Sequence, residues 1–377
     1  MRERGSYLSA EERTRRIEAL RAVLSEAHCT AALIVGTPHV GGKRYFRYFT
    51  DWNIQSIGAY ALIRADGHAE LIFRASSQAF WAGLVGWVQD IISTANPWPH
   101  VLERVQQWER VPRIALVGKD YFPVADYLTL LSTFAGHQVE DITARVDQLM
   151  ALKYPEEQAL LRESGAIFDA AWQAVLDHAA PGMSEWDLAG VAASAVARRG
   201  VPHNVILIGA SNPDFKAKHA GWPRDRRISA ADIIQMSIEG PGPNGYWVEI
   251  GGTFSFRPPD DAMRRQFDAQ VAGMQAALEE LRPGRSGGDV AVAVERAFRQ
   301  RGLSPGYWAG HGIGLGVPER PFLEAGEDAA VVAGTAVALH PNPVSQDGRG
   351  TLLSRTYLIQ AGGPEPVSRF PLEWVQV

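Results

Sequence analysis

Short apolar strands and longer amphipathic helices alternate along the whole chain, and the alternation restarts near residue 150. This pattern is typical of α/β and α+β units, in which helices cover a sheet. A chain of 377 residues is also too long for one ordinary hydrophobic core. The segment Leu152-Lys-Tyr-Pro-Glu-Glu-Gln opens a new helix, with Pro155 in its first turn. We therefore predict two domains, residues 1–150 and residues 151–377.

The first domain has the pattern of a compact α/β unit. Apolar positions at helical spacing follow Ser9, whose hydroxyl is suited to cap a helix. The Asp66-Gly67 pair is a hairpin signal between two half-buried strands. The predicted elements are helices over 10–28, 98–109 and 124–134 and strands over 31–36, 58–64, 69–74 and 113–118.

The second domain has longer elements, as expected for a larger sheet covered by helices. Three amphipathic helices and five strands are predicted from their periodicity. They are helices over 156–180, 184–200 and 260–282 and strands over 203–208, 232–239, 245–256, 335–341 and 351–360.

Composition excludes several classes of protein. A net charge of −5 with dispersed basic residues gives no reason to expect a nucleic-acid partner. The single cysteine, Cys29, allows neither an intrachain disulfide nor a thiolate metal cage. The first ten residues are charged and lack the apolar core of a secretion signal, and no apolar run approaches the roughly 20 residues of a membrane span. We expect a cytoplasmic protein without a membrane partner.

One histidine has the surroundings of a functional residue. In Tyr307-Trp-Ala-Gly-His-Gly-Ile-Gly, glycines flank His311 and let the backbone approach a ligand closely. A turn with a satisfied imidazole would explain this motif alone. The motif follows Asn244-Gly-Tyr-Trp-Val-Glu-Ile-Gly-Gly-Thr-Phe and precedes a strand that ends in Leu339-His340-Pro341.

That order of segments resembles the creatinase/aminopeptidase P/methionine aminopeptidase family, the M24 class. Other similar segments, in chain order, are Tyr48-Phe-Thr-Asp-Trp, Leu152-Lys-Tyr-Pro, Pro181-Gly-Met-Ser-Glu-Trp-Asp-Leu and Leu281-Arg-Pro-Gly. The resemblance covers essentially the whole chain. It implies an α/β (α+β) fold with a creatinase-like N-terminal domain and a catalytic domain of the "pita-bread" type. It also implies a homodimer that acts on a small-molecule substrate.

The chain departs from this family at the metal ligands. Family peptidases hold two metal ions with two aspartates, a histidine and two glutamates. The corresponding positions here, in that chain order, are Ile238, Glu249, His311, His340 and Ser354. Isoleucine cannot bind a metal, and serine replaces the glutamate that both ions share. The substrate-side histidine after the glycine-rich turn is replaced by Pro318. We therefore expect the second metal to be absent.

The remaining residues still form a ligand set for one metal. Glu249, His311 and His340 supply one carboxylate and two imidazoles, which suits Zn²⁺ in hydrolases and Fe²⁺ in oxygenases. The resemblance implies one divalent metal, Fe, Mn or Zn. The competing interpretation is a decayed member of the family, in which His340 is a hydrogen-bonded core residue.

Glu239 lies next to Ile238 and could replace the missing aspartate. Neighbouring residues of a strand face opposite sides, so the pleat predicts that Glu239 faces away from the site. A bulge near Gly240-Pro-Gly-Pro would turn it inward. Whether Glu239 enters the site stays open at this stage.

His219 is a second candidate catalytic residue, beside Glu249. In Asp214-Phe-Lys-Ala-Lys-His-Ala-Gly-Trp-Pro it matches the substrate-side histidine of the family, which is the general acid/base in creatinase. An imidazole titrates near neutral pH and suits that role. A histidine in a surface loop is the simpler alternative.

Substrate contacts are expected from residues in segments that border the site in the family. They are Trp52, Trp222, Trp247, Trp308 and Arg320. The aromatic residues favour an apolar or planar ligand, although core packing explains each of them equally well. Arg320 could pair with a substrate carboxylate.

The sequence thus predicts an enzyme of the M24 fold that is not a two-metal peptidase. Hydrolysis of a C–N, amide-like bond at one metal is the leading hypothesis. Three alternatives stay open: a non-haem Fe²⁺ oxygenase on the same triad, a metal-free hydrolase that resembles creatinase or ectoine hydrolase and uses His219, and a non-catalytic binding protein.

Overall fold

A computed structural model describes residues 7–108, 113–134 and 138–377. The chain divides into two compact units. The N-terminal unit extends to Met150 and also contains Leu315–Val317. The C-terminal unit contains Ala151–Gly314 and Pro318–Val377. Both units combine sheets with helices, which confirms the predicted α/β (α+β) class.

The N-terminal unit is built around a mixed sheet. Its helices are α1 Ala10–Glu26, α2 Val40–Thr50, α3 Ser76–Val85, α4 Pro97–Trp108, α5 Val124–Thr133 and α6 Thr143–Ala151. Its strands are β1 Ala31–Gly36, β2 Ala59–Arg64, β3 Ala69–Phe73, β4 Asp90–Ser93, β5 Ile114–Val117 and β6 Val139–Asp141. Within the described residues, six strands pair in the order β4-β3-β2-β1-β5-β6. The central strand β1 is buried throughout and runs parallel to β5 and antiparallel to β2.

The strong periodic elements of this unit match the predictions, and its short elements were missed. Elements α2, α3, β4, β6 and α6 were not predicted from periodicity. Helix α2 contains Gly41 and Gly42, which are poor helix formers, yet it is almost wholly buried. Tertiary packing therefore overrides local propensity there. The helix predicted over 98–109 ends at Trp108, and Glu109 lies outside the described residues.

The C-terminal unit is larger and mainly antiparallel. Its helices are α7 Pro155–His178, α8 Glu185–Ala197, α9 Asp261–Glu280 and α10 Gly287–Arg299. Its strands are β7 Val205–Ser211, β8 Ile233–Pro241, β9 Trp247–Ser255, β10 Gly310–Gly312, β11 Glu319–Leu323, β12 Ala336–Leu339, β13 Ser354–Gln360, β14 Gly363–Pro366 and β15 Val375–Gln376. Helix α10 and strands β10, β11, β14 and β15 were not predicted.

The order of strands in this unit places distant parts of the sequence side by side. Seven strands follow the path β11-β10-β12-β13-β9-β8-β7 among the described residues, with β14 beside β13 and β15 beside β9. Strands β10, β12, β13 and β9 are consecutive neighbours on this path. Side chains near the ends of these four strands can therefore meet on one face of the sheet.

Helices hold the sheet from behind. The indole of Trp172 on α7 donates to the main-chain oxygen of Ile250 on β9 (3.1 Å). Helices α9 and α10 cross closely at Gly273, where an added Cβ would lie 2.5 Å from the ring of Phe298. Across the three described ranges, no helix has both the length and the apolar character that a membrane crossing demands.

A buried ion pair fixes the start of the C-terminal unit to β11. The ammonium of Lys153 lies 2.7 Å from the carboxylate of Glu319, and both side chains are at most 5% exposed. Gly314 makes room for this pair, because a Cβ there would lie 2.6 Å from Glu319 Oε2. Removing one partner of a buried ion pair is strongly destabilising, because the other charge stays buried and loses its closest counter-charge.

We expect Lys153→Met to lower the free energy of unfolding of the C-terminal unit by about 3–5 kcal/mol. Urea denaturation followed by tryptophan fluorescence measures this loss. Arg162→Met is the matched control, because the Arg162–Glu365 pair is exposed (2.7 Å) and such pairs contribute at most about 1 kcal/mol. Equal, small losses in both variants would contradict the expectation.

Candidate metal centre

The centre begins at the β8–β9 hairpin, whose turn is held tightly. Gly245 adopts a left-handed φ of 94°, and the amide of Gly242 donates to the carbonyl of Tyr246 (2.9 Å). Asn244 is buried in the turn, where its amide donates to Leu160 O on α7 (2.9 Å). The turn therefore fixes the register of the two strands.

That register places Glu239 directly opposite Glu249. Residues opposite each other in an antiparallel pair project from the same face. Ile238 pairs with Ile250 and projects from the other face. The prediction that Glu239 faces away from the site is therefore wrong, and no bulge is needed to bring it in.

The carboxylate of Glu249 is held by β13. The Ser354 hydroxyl donates to Glu249 Oε1 (2.5 Å), and the Thr356 hydroxyl accepts from the Glu249 main-chain N–H (2.9 Å). One carboxylate oxygen is thus engaged by serine at the position where a family peptidase has its shared glutamate. The other oxygen, Oε2, lies 3.6 Å from Nε2 of His311.

His311 is positioned by the glycines on either side of it. Strand β10 lies so close to its neighbours that a Cβ at Gly310 or Gly312 would lie 2.1 Å from a main-chain oxygen. The carbonyl of Gly312 lies 2.9 Å from His311 Nδ1 and can only accept. Nδ1 therefore carries a proton, and Nε2 is directed toward Glu249 Oε2 (3.6 Å).

His340 follows the last residue of β12 and is fully surrounded by protein. Its main-chain N–H donates to Ala309 O (2.9 Å), and its ring centroid lies 5.2 Å from that of His311. Nδ1 of His340 is buried, and none of the described residues gives it a hydrogen-bond partner. A buried nitrogen without a partner is costly unless a ligand completes it.

Glu249, His311 and His340 each offer one ligand atom, and these atoms lie within 4.8 Å of one another. One carboxylate and two imidazoles are donors that divalent Zn, Mn and Fe accept. The unpartnered nitrogen of His340 and the Oε2 of Glu249, which faces His311, fit a metal ion shared by the three residues. The residues present therefore fit the metal that the sequence predicts.

The ionisable groups polarise one another. Burial opposes ionisation of Glu249, but His340, His311 and the Ser354 hydroxyl outweigh it and lower the pKa of Glu249. Burial, followed by the charge of Glu249, raises the pKa of Glu239 to about 8. Burial also lowers the pKa of His340, whereas Glu249 raises the pKa of His311 against the effect of burial. The site thus combines one ionised carboxylate with one that retains its proton at neutral pH.

A cavity of about 430 Å³ opens onto this cluster. Its lining includes Glu239, Glu249 and His340, together with His219 from the loop between β7 and β8. Burial and the neighbouring Lys218 lower the pKa of His219, which favours a neutral imidazole. The cavity therefore brings the second candidate catalytic residue to the same space as the triad.

The predicted substrate contacts divide between this cavity and other places. Trp308 lines the cavity, and its ring centroid lies 5.4 Å from that of His311. Trp222 is 68% exposed, and Trp247 is buried against His203 (ring centroids 5.4 Å apart). Neither is among the residues that line the cavity. Trp52 is buried in the N-terminal unit.

Arg320 does not point into the cavity but bonds to an acid outside it. Its guanidinium donates to Glu327 Oε2 (2.8 Å) and lies over the ring of Phe322 (5.3 Å). The expectation that Arg320 is available to a substrate carboxylate is therefore not met in this structure.

Two features of the site were not predicted from the sequence: the inward orientation of Glu239 and a contact between Tyr307 and Asn342. The pairing of the β8–β9 hairpin would have identified Glu239, because it places residue 239 opposite residue 249 on the same face of the sheet. The prediction relied instead on spacing taken from the family. Tyr307 and Asn342 line the cavity together, and Asn342 Nδ2 donates to the Tyr307 hydroxyl. The sequence carries no signal for that contact, because 35 residues separate the two.

Comparisons with known families agree with these observations. A profile described as "Metallopeptidase family M24" matches residues 159–361, and one described as "Creatinase/Prolidase N-terminal domain" matches residues 16–149. The X-Pro aminopeptidase of Thermotoga maritima has a similar structure, with a TM-score of 0.85 and 18% sequence identity. That alignment covers 96% of this chain and 99% of the other, and it shows a shared fold.

Curated relatives carry more than one type of name. The probable dipeptidase PepE of Mycobacterium tuberculosis is 29% identical over 257 residues, which cover 68% of this chain. The match spans 66% of the length of PepE, just under two thirds. The agropine synthesis cyclase of Rhizobium rhizogenes is 25% identical over 285 residues, which cover 69% of this chain and 70% of that protein.

We expect Glu239→Gln to stabilise the metal-free protein at alkaline pH. Because folding raises the pKa of Glu239 from 4.5 to about 8, its contribution to stability is fully present below pH 4.5 and is lost as the pH rises through 8. Glutamine carries no charge to bury. The free energy of unfolding of the variant should therefore exceed that of wild type by about 1–3 kcal/mol at pH 9 and by little at pH 5.

Thermal unfolding of chelator-treated protein between pH 5 and pH 9 measures this difference. Glu279→Gln, on the exposed surface of α9, is the control and should show no such trend. If the difference in stability between Glu239→Gln and wild type does not change with pH, the raised pKa of Glu239 is refuted.

Proposed function

The chain belongs to the metallopeptidase family M24 of hydrolases, and we propose that it hydrolyses a C–N, amide-type bond of a small molecule at a single divalent metal ion. Glu249, His311 and His340 would hold this ion. The observation that carries the proposal is the convergence of their ligand atoms within 4.8 Å of one another beside a cavity of about 430 Å³.

The contacts of Glu249 favour one ion over two. A second ion would need a bridging carboxylate, and Ser354 stands where the family has its shared glutamate. The Ser354 hydroxyl also engages Glu249 Oε1 at 2.5 Å. Glu239 is bonded to the Ser237 hydroxyl (2.8 Å), and burial raises its pKa. These contacts support a mononuclear centre.

A divalent cation held by these three residues would supply Lewis-acid chemistry, which polarises a carbonyl oxygen and makes water more acidic. In the hydrolysis, the oxygen of water bonds to the carbonyl carbon and keeps one hydrogen, the C–N bond breaks, and the departing nitrogen takes the other proton of the water. Glu239 and His219 both line the cavity and are the groups that can carry this proton. His219 is the more exposed of the two, so it is suited to exchange the proton with solvent.

Dipeptide hydrolysis is the second candidate function, because PepE, a relative that is 29% identical, is named a probable dipeptidase. The relative named agropine synthesis cyclase shows that similar chains also carry a name outside peptidases. The loss of the shared glutamate at Ser354 favours a substrate other than a peptide. The two candidates differ in the number of metal ions and in the amide that is cleaved.

Metal analysis tests the proposed centre. We expect protein purified without a chelator to contain about one equivalent of a divalent metal per chain, as measured by inductively coupled plasma mass spectrometry. His340→Ala should contain almost none, because it removes one of three ligands. His219→Ala alters the same cavity but no ligand, so it should keep the full equivalent. Two equivalents of metal in wild type, or a full equivalent in His340→Ala, would contradict the proposed mononuclear centre.

Turnover tests the substrate class. We expect the metal-loaded protein to release amine from N-acetylated amino acids faster than it cleaves the dipeptide Ala-Pro, as measured by amine release. Glu239→Gln should lower kcat by about 10²-fold or more, since general acid/base groups contribute about 10²–10⁴-fold. Faster cleavage of Ala-Pro would instead support the dipeptidase candidate.

A further inference from the structure

A chain of amide and hydroxyl groups leads from helix α9 to the site cavity. Gln270 is fully buried on α9, where its Nε2 donates to the main-chain oxygen of Thr351 (3.5 Å) and to Oδ1 of Asn342. Asn342 donates through Nδ2 to the hydroxyl oxygen of Tyr307. Tyr307 and Asn342 line the cavity with Glu249 and His340.

The bonds of this chain run in one direction in the structure. Gln270 presents its nitrogen to the Thr351 carbonyl, which can only accept (3.5 Å), while its buried Oε1 has no hydrogen-bond partner among the described residues. The same nitrogen faces Asn342, which must therefore present its oxygen to Gln270 and its nitrogen to Tyr307. An amide nitrogen can only donate. The Tyr307 oxygen thus accepts from Asn342, and the hydroxyl hydrogen of Tyr307 is left for another acceptor.

Tyr307 is 44% exposed and lines the cavity, so that hydrogen is accessible to a ligand bound there. None of the described residues accepts a hydrogen bond from Tyr307. Its ring lies against His340 (centroids 5.4 Å apart), and the preceding residue is tied down because the Gly306 amide donates to the carbonyl of Asn342 (2.8 Å). Hydrogen bonds therefore hold both the backbone before Tyr307 and its hydroxyl oxygen before any ligand binds.

We propose that Tyr307 is a catalytic hydrogen-bond donor, which binds the oxygen of the reacting carbonyl group and stabilises the negative charge that develops there. Gln270 and Asn342 are positioning residues that aim its hydroxyl. A donor that is fixed in advance pays no reorganisation cost during reaction, which is the basis of oxyanion stabilisation in enzymes. The proposal rests on the hydrolytic function proposed above and names a further residue of the same site.

Methylphosphonate is a suitable probe, because it carries charged oxygens around a tetrahedral centre, as the reaction intermediate does. Its dissociation constant is measured by calorimetry on Zn²⁺-loaded protein. Tyr307→Phe removes one hydroxyl and should raise this constant about 10- to 100-fold, as expected for a hydrogen bond to a charged group. Tyr357→Phe is the matched control, since this buried tyrosine of β13 does not line the cavity, and it should bind as wild type does.

Asn342→Leu separates positioning from general disruption. In the wild-type background it frees the Tyr307 hydroxyl to rotate and should weaken methylphosphonate binding by an intermediate factor. In the Tyr307→Phe background it should have no further effect, because the group that it aims is already gone. Additive losses, or binding by Tyr307→Phe within twofold of wild type, would overturn the proposal.

Measuring the metal content of the same samples distinguishes failure of the proposed metal centre from failure of the proposed role of Tyr307. Wild type that binds zinc but no methylphosphonate overturns the role of Tyr307 and leaves the metal centre intact. Wild type that binds none of Zn²⁺, Mn²⁺ and Fe²⁺ overturns the metal centre, and neutron diffraction then decides the role of Tyr307. A Tyr307 deuteron directed into the cavity supports the proposal, and a deuteron directed at Asn342 overturns it.

Discussion

The register of the β8–β9 hairpin is the constraint on which the centre depends. A buried turn around Asn244 sets this register and places Glu239 opposite Glu249 on the cavity face. A slip of one residue in either strand would exchange that strand's two faces and turn one of the two carboxylates away from the cavity. The tight anchoring of the turn to α7 therefore serves the chemistry of the site as much as the stability of the sheet.

Adjacent strands then supply the other groups. Strand β13 contributes the Ser354 hydroxyl, and β12 and β10 contribute His340 and His311 beside it. Glycines at 310 and 312 allow β10 to lie close enough to its neighbours for this meeting. His340 and Ser354 stand where family peptidases have glutamates. These two replacements change a site rich in acidic residues into one with two imidazoles and one ionised carboxylate. Such a set has the donors for one ion and lacks the bridging carboxylate for two.

The sequence predicts the fold and the triad better than it predicts the surroundings of the triad. Long amphipathic helices such as α7 and α9 and the strand with Glu249 follow from periodicity, and the glycine pattern identifies His311. Helix α2 is missed because burial, and not propensity, stabilises it. Glu239 is misplaced because spacing borrowed from relatives ignores the pairing of this particular hairpin. The Gln270–Asn342–Tyr307 chain joins segments with no sequence relation, so only the folded structure contains it.

Anomalous diffraction from a crystal of the metal-loaded protein tests the account most directly. We expect one peak, about 2.0–2.2 Å from an oxygen of Glu249 and from one ring nitrogen each of His311 and His340. Two peaks about 3.5–4 Å apart would identify a dinuclear site, and a site without a peak at these residues would remove the metal altogether. Either result would contradict the single-ion centre described above.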